Sequence, residues 1–347
     1  MSNSLSIKVF KIFYAFDIAI KQDNLIKDVF IIKILITGGA GFIGSNLTLK
    51  LHKENQIVIV DDLSMGKIKN ISNLDNVTFH KKSVLDKEFM KNLLINEDFD
   101  YIYHLAAIAS VADSIERPLQ THEINFSSTL NLLNLLKDME SKNLKRFVFA
   151  SSAAVYGEGL DLPKKESSKV EPMTPYAIDK YSSEKYTLIF NDLYGIPTSV
   201  VRFFNVYGPN QNPESPYSGV ISIIVNRFEK KIKQGSACFD LYGDGSQSRD
   251  FVYVEDVVQA LTLVSKSKDS LGKVYNVGTG LGTDLNSLIE NVSDLLNETI
   301  SIKYLPERIG DIKESYSDIS QLSKIGYKAN YNIHEGLKKY LRSINLY

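Results

Sequence analysis

The chain has 347 residues, and its 40 basic and 41 acidic side chains leave a formal net charge of −1. Hydrophobic residues make up 44% and charged residues 23%, as in ordinary globular proteins, so wholesale disorder is excluded. The balanced charge gives no reason to expect a nucleic-acid partner. The single cysteine, Cys238, excludes an internal disulfide and a metal site built on several thiolates. We expect no metal site.

The N-terminal segment, residues 1–31, is the one place where a secretory signal could lie. Its apolar run is broken by Lys8, Lys11 and Asp17, and no small-residue cleavage site follows. The chain also lacks an uninterrupted apolar run of about 18 residues, the length that a membrane helix needs. We therefore expect a cytoplasmic enzyme without a membrane partner, in which residues 1–31 are an extension that contributes a short amphipathic helix.

The first half of the chain alternates short apolar runs with longer segments of helical spacing. Such alternation predicts an α/β fold, a Rossmann-type doubly wound parallel sheet. The predicted helices are Ser45–Lys53 and Leu119–Lys137, and the predicted strands are Lys33–Thr37, Gln56–Val60, Val77–His80, Tyr101–Leu105 and Arg146–Ala150.

The strand–helix alternation ends at about residue 205. The segment Asn205–Tyr217 is rich in Pro, Asn and Gly and is predicted to be a loop. Residues 206–347 are expected to form mainly a smaller C-terminal α/β substrate lobe beside a dinucleotide-binding domain over 32–205, with segments that can cross this boundary. The predicted strands there are Phe239–Tyr242 and Lys273–Val277, and the predicted helices are Val220–Lys233, Glu255–Ser265 and Leu285–Leu296.

The first predicted strand runs directly into the sequence GGAGFIG, which begins at Gly38. Gly39, Gly41 and Gly44 fit the pattern G-x-G-x-x-G, and Gly38 with the last two fits G-x-x-G-x-x-G. Glycines allow a tight turn from strand to helix, and they let a pyrophosphate approach the backbone N–H groups at the helix start. The pattern predicts a dinucleotide site.

An acidic residue, Asp61, ends the second predicted strand, 17 residues after Gly44. A carboxylate at this point can accept hydrogen bonds from the adenosine ribose hydroxyls and repels a 2′-phosphate. The expected cofactor is therefore NAD rather than NADP.

A second constellation is the sequence YAIDK, which opens a predicted helix after Pro175. Tyr176 and Lys180 are four residues apart and lie on one helix face. A neighbouring ammonium favours a phenolate, so we expect Lys180 to lower the pKa of Tyr176 and make it a usable base. Ser151 and Ser152 follow a predicted strand, so a hydroxyl lies at the carboxyl edge of the sheet, where such folds bind ligands.

With these residues in place, the chain resembles the extended short-chain dehydrogenase/reductases, and among them the nucleotide-sugar 4-epimerases. The resemblance runs from about residue 32 to 345 and rests on ordered blocks. These are TGGAGFIGSN, DDLSMGKIKN, HLAAIASVADSIERP, SSAAVYGE, PYAIDKYSSEKY, RFFNVYGPNQNP, LYGDGSQSRDFVYVEDV and ERIGDIKESYSD. Ser83 is a departure, because relatives often carry there an Asp that contacts adenine.

The resemblance implies roles for individual residues. Tyr176 is expected to accept the proton, Lys180 to tune it and contact the nicotinamide ribose, and Ser152 to orient the sugar O4. The expected cofactor-binding residues are Gly38, Gly41, Phe42, Ile43, Gly44, Asp61, Leu63, Ser64, Gly66, Val84, Leu105, Ala106, Ala107, Asn125, Ala150, Tyr176, Lys180, Phe203 and Phe204. The expected UDP-sugar contacts are Ser110, Ser152, Tyr176, Asn205, Val220, Tyr242, Arg249, Arg308, Asp311 and Ser315.

The residues after the strand-end serine discriminate among the reactions of this scaffold. A 4,6-dehydratase supplies an Asp-Glu pair there, whereas this chain has Ala153 and Ala154, which carry no protons. C4 epimerisation of a UDP-sugar through a 4-keto intermediate is therefore expected. Ser315 leaves room for an N-acetyl group, so UDP-GlcNAc/UDP-GalNAc is favoured, with UDP-Glc/UDP-Gal as a further pair. A UDP-hexuronate 4-epimerase and an inactive NAD-sensing regulator are the alternatives.

Two long helices predicted over Leu119–Lys137 and Tyr176–Tyr194 have apolar faces. Relatives pair two such helices across a two-fold axis, and the resemblance therefore implies a homodimer.

Overall fold

Seven parallel strands form the central sheet, in the order β11-β6-β5-β4-β1-β2-β3. The computed structural model describes residues 32–139, 143–159, 161–212, 219–307 and 312–347. The helix expected within residues 1–31 lies outside these ranges. The strands of the described residues are β1 Lys33–Thr37, β2 Gln56–Asp61, β3 Val77–Lys81, β4 Tyr101–His104, β5 Arg146–Ser152, β6 Thr198–Phe203, β7 Asn205–Tyr207, β8 Cys238–Tyr242, β9 Ser248–Arg249, β10 Phe251–Tyr253, β11 Val274–Val277, β12 Thr283–Asp284, β13 Ser301–Leu305 and β14 Glu314–Ser315.

Helices cover both faces of this sheet, which explains why its strands are continuous apolar runs. Lys87–Asn96, Ser128–Asp138 and Pro175–Tyr194 pack in one layer, and Phe42–Leu51 and Val254–Lys266 pack together in another. The predicted Rossmann-type α/β fold is confirmed. In the described part of the chain the α-helices are α1 Phe42–Leu51, α2 Lys87–Asn96, α3 Val111–Glu116, α4 Pro118–His122, α5 Ser128–Asp138, α6 Pro175–Tyr194, α7 Val220–Gln234, α8 Val254–Lys266, α9 Leu285–Leu296, α10 Ser320–Lys324 and α11 Ile333–Ser343.

The helix predicted over Leu119–Lys137 is divided in the structure. A π-helical turn, Glu123–Ser127, joins α4 to α5. α6 matches its prediction closely because its ends are marked locally. Thr174 caps its N-terminus by accepting from the Ala177 N–H at 3.2 Å, Pro175 occupies the first turn, and Gly195 ends it with φ 69°.

Residues after 205 build a second hydrophobic core of their own, around Phe228, Leu288 and Leu337. Part of this segment nevertheless returns to the large sheet, because β11 pairs with β6 and α8 packs on β5 and β6. Residues 33–347 consequently form one compact unit. Across the described residues, every helix is too short or too polar to cross a bilayer.

Candidate active site

The glycine loop joins β1 to α1 at the carboxyl edge of the sheet. Gly38 has φ +71°, a conformation that favours glycine, and its N–H donates to the Val60 carbonyl at 2.8 Å. A Cβ at Gly44 would collide with the carbonyl oxygen of Gly38, so the loop folds directly over the first turn of the helix. Gly41 caps this helix without a side chain, which leaves the first N–H groups open to a phosphate.

Asp61 ends β2 and holds the glycine loop through its carboxylate. One oxygen accepts from the Ala40 N–H at 3.0 Å, and the other accepts from the Leu63 N–H at 2.8 Å. Burial raises the pKa of Asp61, while these backbone donors oppose the rise. A Cβ at Gly66 would approach an Asp61 oxygen to 2.9 Å, so the following turn also packs closely against this carboxylate.

A cavity of about 440 Å³ extends from the glycine loop to Tyr176. Its shape and lining fit a dinucleotide, since bare backbone lies at one end and apolar side chains flank the middle. Of the residues predicted to bind the cofactor, the cavity is lined by Gly38, Gly41, Phe42, Ile43, Gly44, Asp61, Ser64, Gly66, Val84, Leu105, Ala106, Ala107, Ala150, Tyr176, Lys180, Phe203 and Phe204.

Three predicted contact residues lie behind the cavity instead of in its lining. Asn125 is buried and binds the backbone of Ile108, accepting from its N–H at 2.8 Å and donating to its carbonyl at 3.0 Å. The Ser110 hydroxyl caps α3 by accepting from the Asp113 N–H at 2.9 Å. Leu63 has φ 63° and serves the turn after β2. Their side chains shape the backbone of the site.

Tyr176 and Ser152 meet where β5 ends and α6 begins. Ser152 follows directly from the strand, and its hydroxyl oxygen accepts from the Ala154 N–H at 3.2 Å. Burial raises the pKa of the Tyr176 phenol, and a hydrogen bond with Ser152 opposes this rise. The structure therefore brings a phenol and a hydroxyl together at the end of the first cavity.

Lys180 lies one turn after Tyr176 and is buried. Its ammonium donates to the Ala150 carbonyl at 2.9 Å and lies 6.0 Å from the centre of the Tyr176 ring. Burial lowers the pKa of Lys180 to about 8, and the negative charge of Asp179 opposes this shift. Since desolvation is the main cause of the raised pKa of Tyr176 in this structure, the expectation that Lys180 lowers that pKa stays a prediction.

A hydrogen-bonded chain behind the cavity fixes the loop after β4. Ala106 N–H donates to the Thr37 hydroxyl at 3.3 Å, and that hydroxyl lies 2.7 Å from His104 Nδ1. His104 Nε2 lies 3.0 Å from the Thr129 hydroxyl. Since the Thr129 hydroxyl donates to the Asn125 carbonyl at 3.2 Å, it accepts from His104, which is consistent with a neutral imidazole protonated on Nε2.

The buried imidazole makes stability depend on pH. Burial lowers the pKa of His104 to about 3, whereas the unfolded chain takes up the proton near pH 6.5. Its depressed folded-state pKa means that stability is unaffected above pH 6.5 and falls by about 1.4 kcal/mol per unit as the pH drops from there towards 3. We expect His104→Gln to reduce the slope of the free energy of unfolding against pH between pH 6 and 4.5. The reduction should correspond to the uptake of one proton, about 1.4 kcal/mol per pH unit.

Urea unfolding at several pH values measures this slope. The matched control is His334→Gln, which changes an exposed histidine of α11 and should leave the slope as in the wild type. Equal slopes for the wild type and His104→Gln would show that His104 is not the group that titrates.

A second cavity of about 410 Å³ adjoins the first. Asn205 and Val220 line both, so one ligand can extend from one cavity into the other. Of the other predicted substrate residues, Tyr242 and Arg249 line the second cavity. Arg227 and Gln247 also line this cavity and were not predicted from the sequence. Arg227 lies on an amphipathic helix and Gln247 directly precedes a strand, and these positions alone do not indicate a binding site.

The remaining predicted substrate contacts have different positions. Arg308 and Asp311 lie outside the described residues. Ser315 belongs to β14, where it pairs with Arg249 of β9, and it lies outside the lining of both cavities. The argument that a small residue at this position makes room for an N-acetyl group therefore gains no support from the geometry.

Comparison with known proteins agrees with this geometry. A family model described as the NAD dependent epimerase/dehydratase family matches residues 34–278. A UDP-N-acetylglucosamine 4-epimerase from Methanobrevibacter ruminantium, solved with UDP-N-acetylmuramic acid, is 39% identical, with a TM-score of 0.84 over 91% of this chain and 98% of that one. A UDP-glucose 4-epimerase from Thermotoga maritima, solved with UDP-glucose, is 34% identical, with a TM-score of 0.84 over 90% and 99%.

A UDP-glucuronate 4-epimerase from Thermodesulfobacterium geofontis is 32% identical over 88% of this chain and 94% of its own length. The family model covers well over half of the chain, and its cofactor is the dinucleotide for which the glycine loop and the first cavity are shaped. This chain belongs to the NAD-dependent epimerase/dehydratase family.

Proposed function

We propose that this protein inverts C4 of a UDP-sugar through a transient 4-keto intermediate. The preferred pair is UDP-GlcNAc/UDP-GalNAc, and UDP-Glc/UDP-Gal is a second pair. The observation that carries the proposal is the Tyr176–Ser152 pair in the lining of the first cavity, which is fitted to a dinucleotide and adjoins a second cavity lined by Arg249 and Tyr242. The 39% identity to a UDP-N-acetylglucosamine 4-epimerase supports the choice of sugar.

In this mechanism Tyr176 removes the proton of the sugar C4 hydroxyl and later returns it. NAD, when bound in the first cavity, supplies the hydride acceptor and donor. Ser152 donates to the developing negative oxygen, and the Lys180 ammonium, held on the Ala150 carbonyl at 2.9 Å, supplies a fixed positive charge nearby. Asn205 and Val220 line both cavities and lie where the sugar would turn between its two orientations.

The described lining of the first cavity offers no second acid–base pair at the sugar end. Ala153 and Ala154 follow Ser152 in a short 3-10 helix, and neither moves a proton. Among the described residues that line this cavity, the carboxylates are Asp61 and Asp62, both beside the glycine loop. Elimination of water from C5 and C6 requires an acid and a base close to those atoms. A 4-keto intermediate in this site is therefore returned to a 4-hydroxy sugar.

The proposal is tested by incubating the purified protein separately with UDP-GlcNAc, UDP-Glc and UDP-glucuronate, without added NAD. We expect C4-inverted products from the first two, identified by proton NMR, since the cofactor stays bound through the cycle. Product from UDP-glucuronate alone would assign the protein to the hexuronate epimerases. The absence of product from all three would contradict the proposal and favour a non-catalytic NAD-binding role.

We also infer that the protein is a homodimer. Exposed apolar side chains lie along α3, α4 and α6, where Ile115 is 62%, Leu119 81% and Leu193 64% exposed. Soluble monomers rarely expose several large apolar side chains together, and a two-fold interface would bury them on both copies. Sedimentation velocity at micromolar concentration should give twice the mass of one chain, and the mass of a single chain would refute the inference.

A further inference from the structure

A buried carboxylate, Asp250, joins distant segments of the chain between β9 and β10. One of its oxygens accepts from the N–H and the hydroxyl of Thr279, at 2.8 and 2.7 Å. The other accepts from the N–H groups of Gly280 and Ser317, both at 3.1 Å, and from the Ser317 hydroxyl at 2.6 Å. Five donors from two segments of the chain therefore converge on this one side chain.

The backbone groups of Asp250 are paired as well. Its N–H donates to the Ser315 carbonyl at 2.8 Å, and its carbonyl accepts from the Asn205 N–H at 3.0 Å and from the Asn205 side-chain amide at 3.3 Å. Ser315 is also the partner of Arg249 in the pairing of β14 with β9. These bonds fix Asp250 relative to both β7 and β14.

The segments that meet at Asp250 connect the central sheet with both cavities. β11 belongs to the central sheet, and a Cβ at Gly278, the first residue after it, would collide with the Asp250 carboxylate. The residue before Asp250, Arg249, lines the second cavity, and the residue after it, Phe251, lines the first. The carboxylate therefore fixes where Arg249 stands relative to the sheet that carries the first cavity.

Arg249 is the group through which Asp250 can act on a ligand. Asp250 itself lies outside the described linings of both cavities, whereas the guanidinium of Arg249 belongs to the second cavity. A guanidinium is suited by charge and by its forked geometry to a diphosphate. Such a contact orients the ligand only if the backbone that carries the arginine is held in place, because small misplacements of a bound substrate are costly.

We propose that Asp250 is a positioning residue for UDP-sugar binding, which holds Arg249 at a fixed place relative to the central sheet. This inference rests on the proposed function for the identity of the ligand. It gives Asp250 no contact with the ligand and no part in the transfer of protons or hydride.

Binding of UDP to the protein with its bound NAD tests this role without turnover. Asp250→Asn keeps the shape of the side chain but replaces one acceptor oxygen with a donor, so at least two of the five donors lose their acceptor. We expect this variant to bind UDP roughly 10- to 100-fold more weakly, as measured by calorimetry.

A double variant tests whether the effect passes through Arg249. Arg249→Met removes the guanidinium and should weaken UDP binding about 10- to 100-fold by itself. If Asp250 acts only by placing that guanidinium, adding Asp250→Asn to Arg249→Met should weaken binding by no more than about twofold further. Losses that multiply in the double variant would overturn the inference.

The matched control is Asp256→Asn, which changes another buried carboxylate, on α8. Asp256 accepts from the N–H groups of Asn330 and Tyr331, at 3.1 and 3.2 Å, and lies outside the described linings of both cavities. Both variants should unfold at lower temperature than the wild type, but Asp256→Asn should leave the dissociation constant for UDP unchanged. An equal loss of affinity in both variants would reduce Asp250 to a structural residue and overturn the inference.

Initial rates with UDP-GlcNAc give a second measurement. A contact made equally in the ground state and the transition state changes KM alone. Asp250→Asn should therefore raise KM by the factor found for UDP binding and leave kcat near that of the wild type. If Asp250→Asn does not fold, Thr279→Val replaces it, since it removes one hydroxyl donor from the same carboxylate and should weaken UDP binding by about 3- to 10-fold.

An unchanged dissociation constant for UDP in a folded Asp250→Asn protein would overturn the inference alone. A wild type that binds UDP but epimerises none of the UDP-sugars would contradict the proposed function and leave the role of Asp250 standing. A wild type that does not bind UDP would overturn both.

Discussion

Replacing Tyr176 with phenylalanine is expected to lower kcat for C4 epimerisation by about 10²- to 10⁴-fold, the usual contribution of a positioned acid–base group. The phenol lies beside Ser152, and the described lining of the first cavity offers no carboxylate at this end to replace it. KM should change little, because Tyr176 acts on the proton that is transferred in the transition state. The proposal places the nucleotide in the second cavity, away from this phenol. Initial rates with UDP-GlcNAc and UDP-Glc measure both constants.

The matched control is Tyr181→Phe, which removes a phenol five residues further along the same helix. It lies among the side chains packed on Val155, Tyr156 and Phe204, outside the lining of the first cavity, and its rate should stay near that of the wild type. Undiminished turnover by Tyr176→Phe, with bound NAD still present, would exclude Tyr176 as the proton acceptor.

Glu184→Ala is expected to destabilise the protein by about 3–5 kcal/mol, because it leaves a buried guanidinium without its counter-charge. Glu184 and Arg202 have side chains only 1% and 4% exposed, and they are joined by two hydrogen bonds of 2.5 and 2.9 Å. Glu184 also accepts from the Ser151 hydroxyl at 2.9 Å, so the pair ties α6 to the end of β5. The free energy of unfolding in urea measures the effect.

Two comparisons define what the pair contributes. The double variant Glu184→Leu with Arg202→Met removes both charges and should recover most of the lost stability. Asp86→Ala breaks the exposed ion pair with Lys82 at 3.0 Å but also removes the cap of α2, so it should cost about 0.5–2 kcal/mol. A loss of stability below 1 kcal/mol for Glu184→Ala would contradict this expectation, because it would mean that the Arg202 guanidinium is not left buried without a counter-charge.

Much of the sheet could be predicted because parallel strands covered on both faces are continuous apolar runs. β6 was missed although its six residues are all buried, because TSVVRF contains Arg202, and a charge argues against a buried strand. Its partner, Glu184, lies on α6, and no local pattern reveals a pairing between separate elements. α2 was also missed, although Asp86 caps it and Met90, Leu93 and Leu94 show helical spacing.

The site divides in the same way between local and non-local features. The glycine loop, Asp61 and the Tyr176–Lys180 spacing are local, so the sequence shows them directly. Burial also raises the pKa of Tyr176, and this effect could not be predicted from the sequence because it depends on how separate elements pack. Arg227 comes into the second cavity because α7 packs against β8, a contact that the spacing of neither segment predicts.

The central claim is that oxidation and reduction take place at one carbon of the sugar and nowhere else. UDP-GlcNAc carrying deuterium at C4 tests it, when incubated in ordinary water with the purified protein and no added NAD. The account predicts UDP-GalNAc that keeps the full label at C4, with unlabelled C5 and an intact C6 hydroxyl. Loss of the deuterium to water, or a 6-deoxy product, would contradict it.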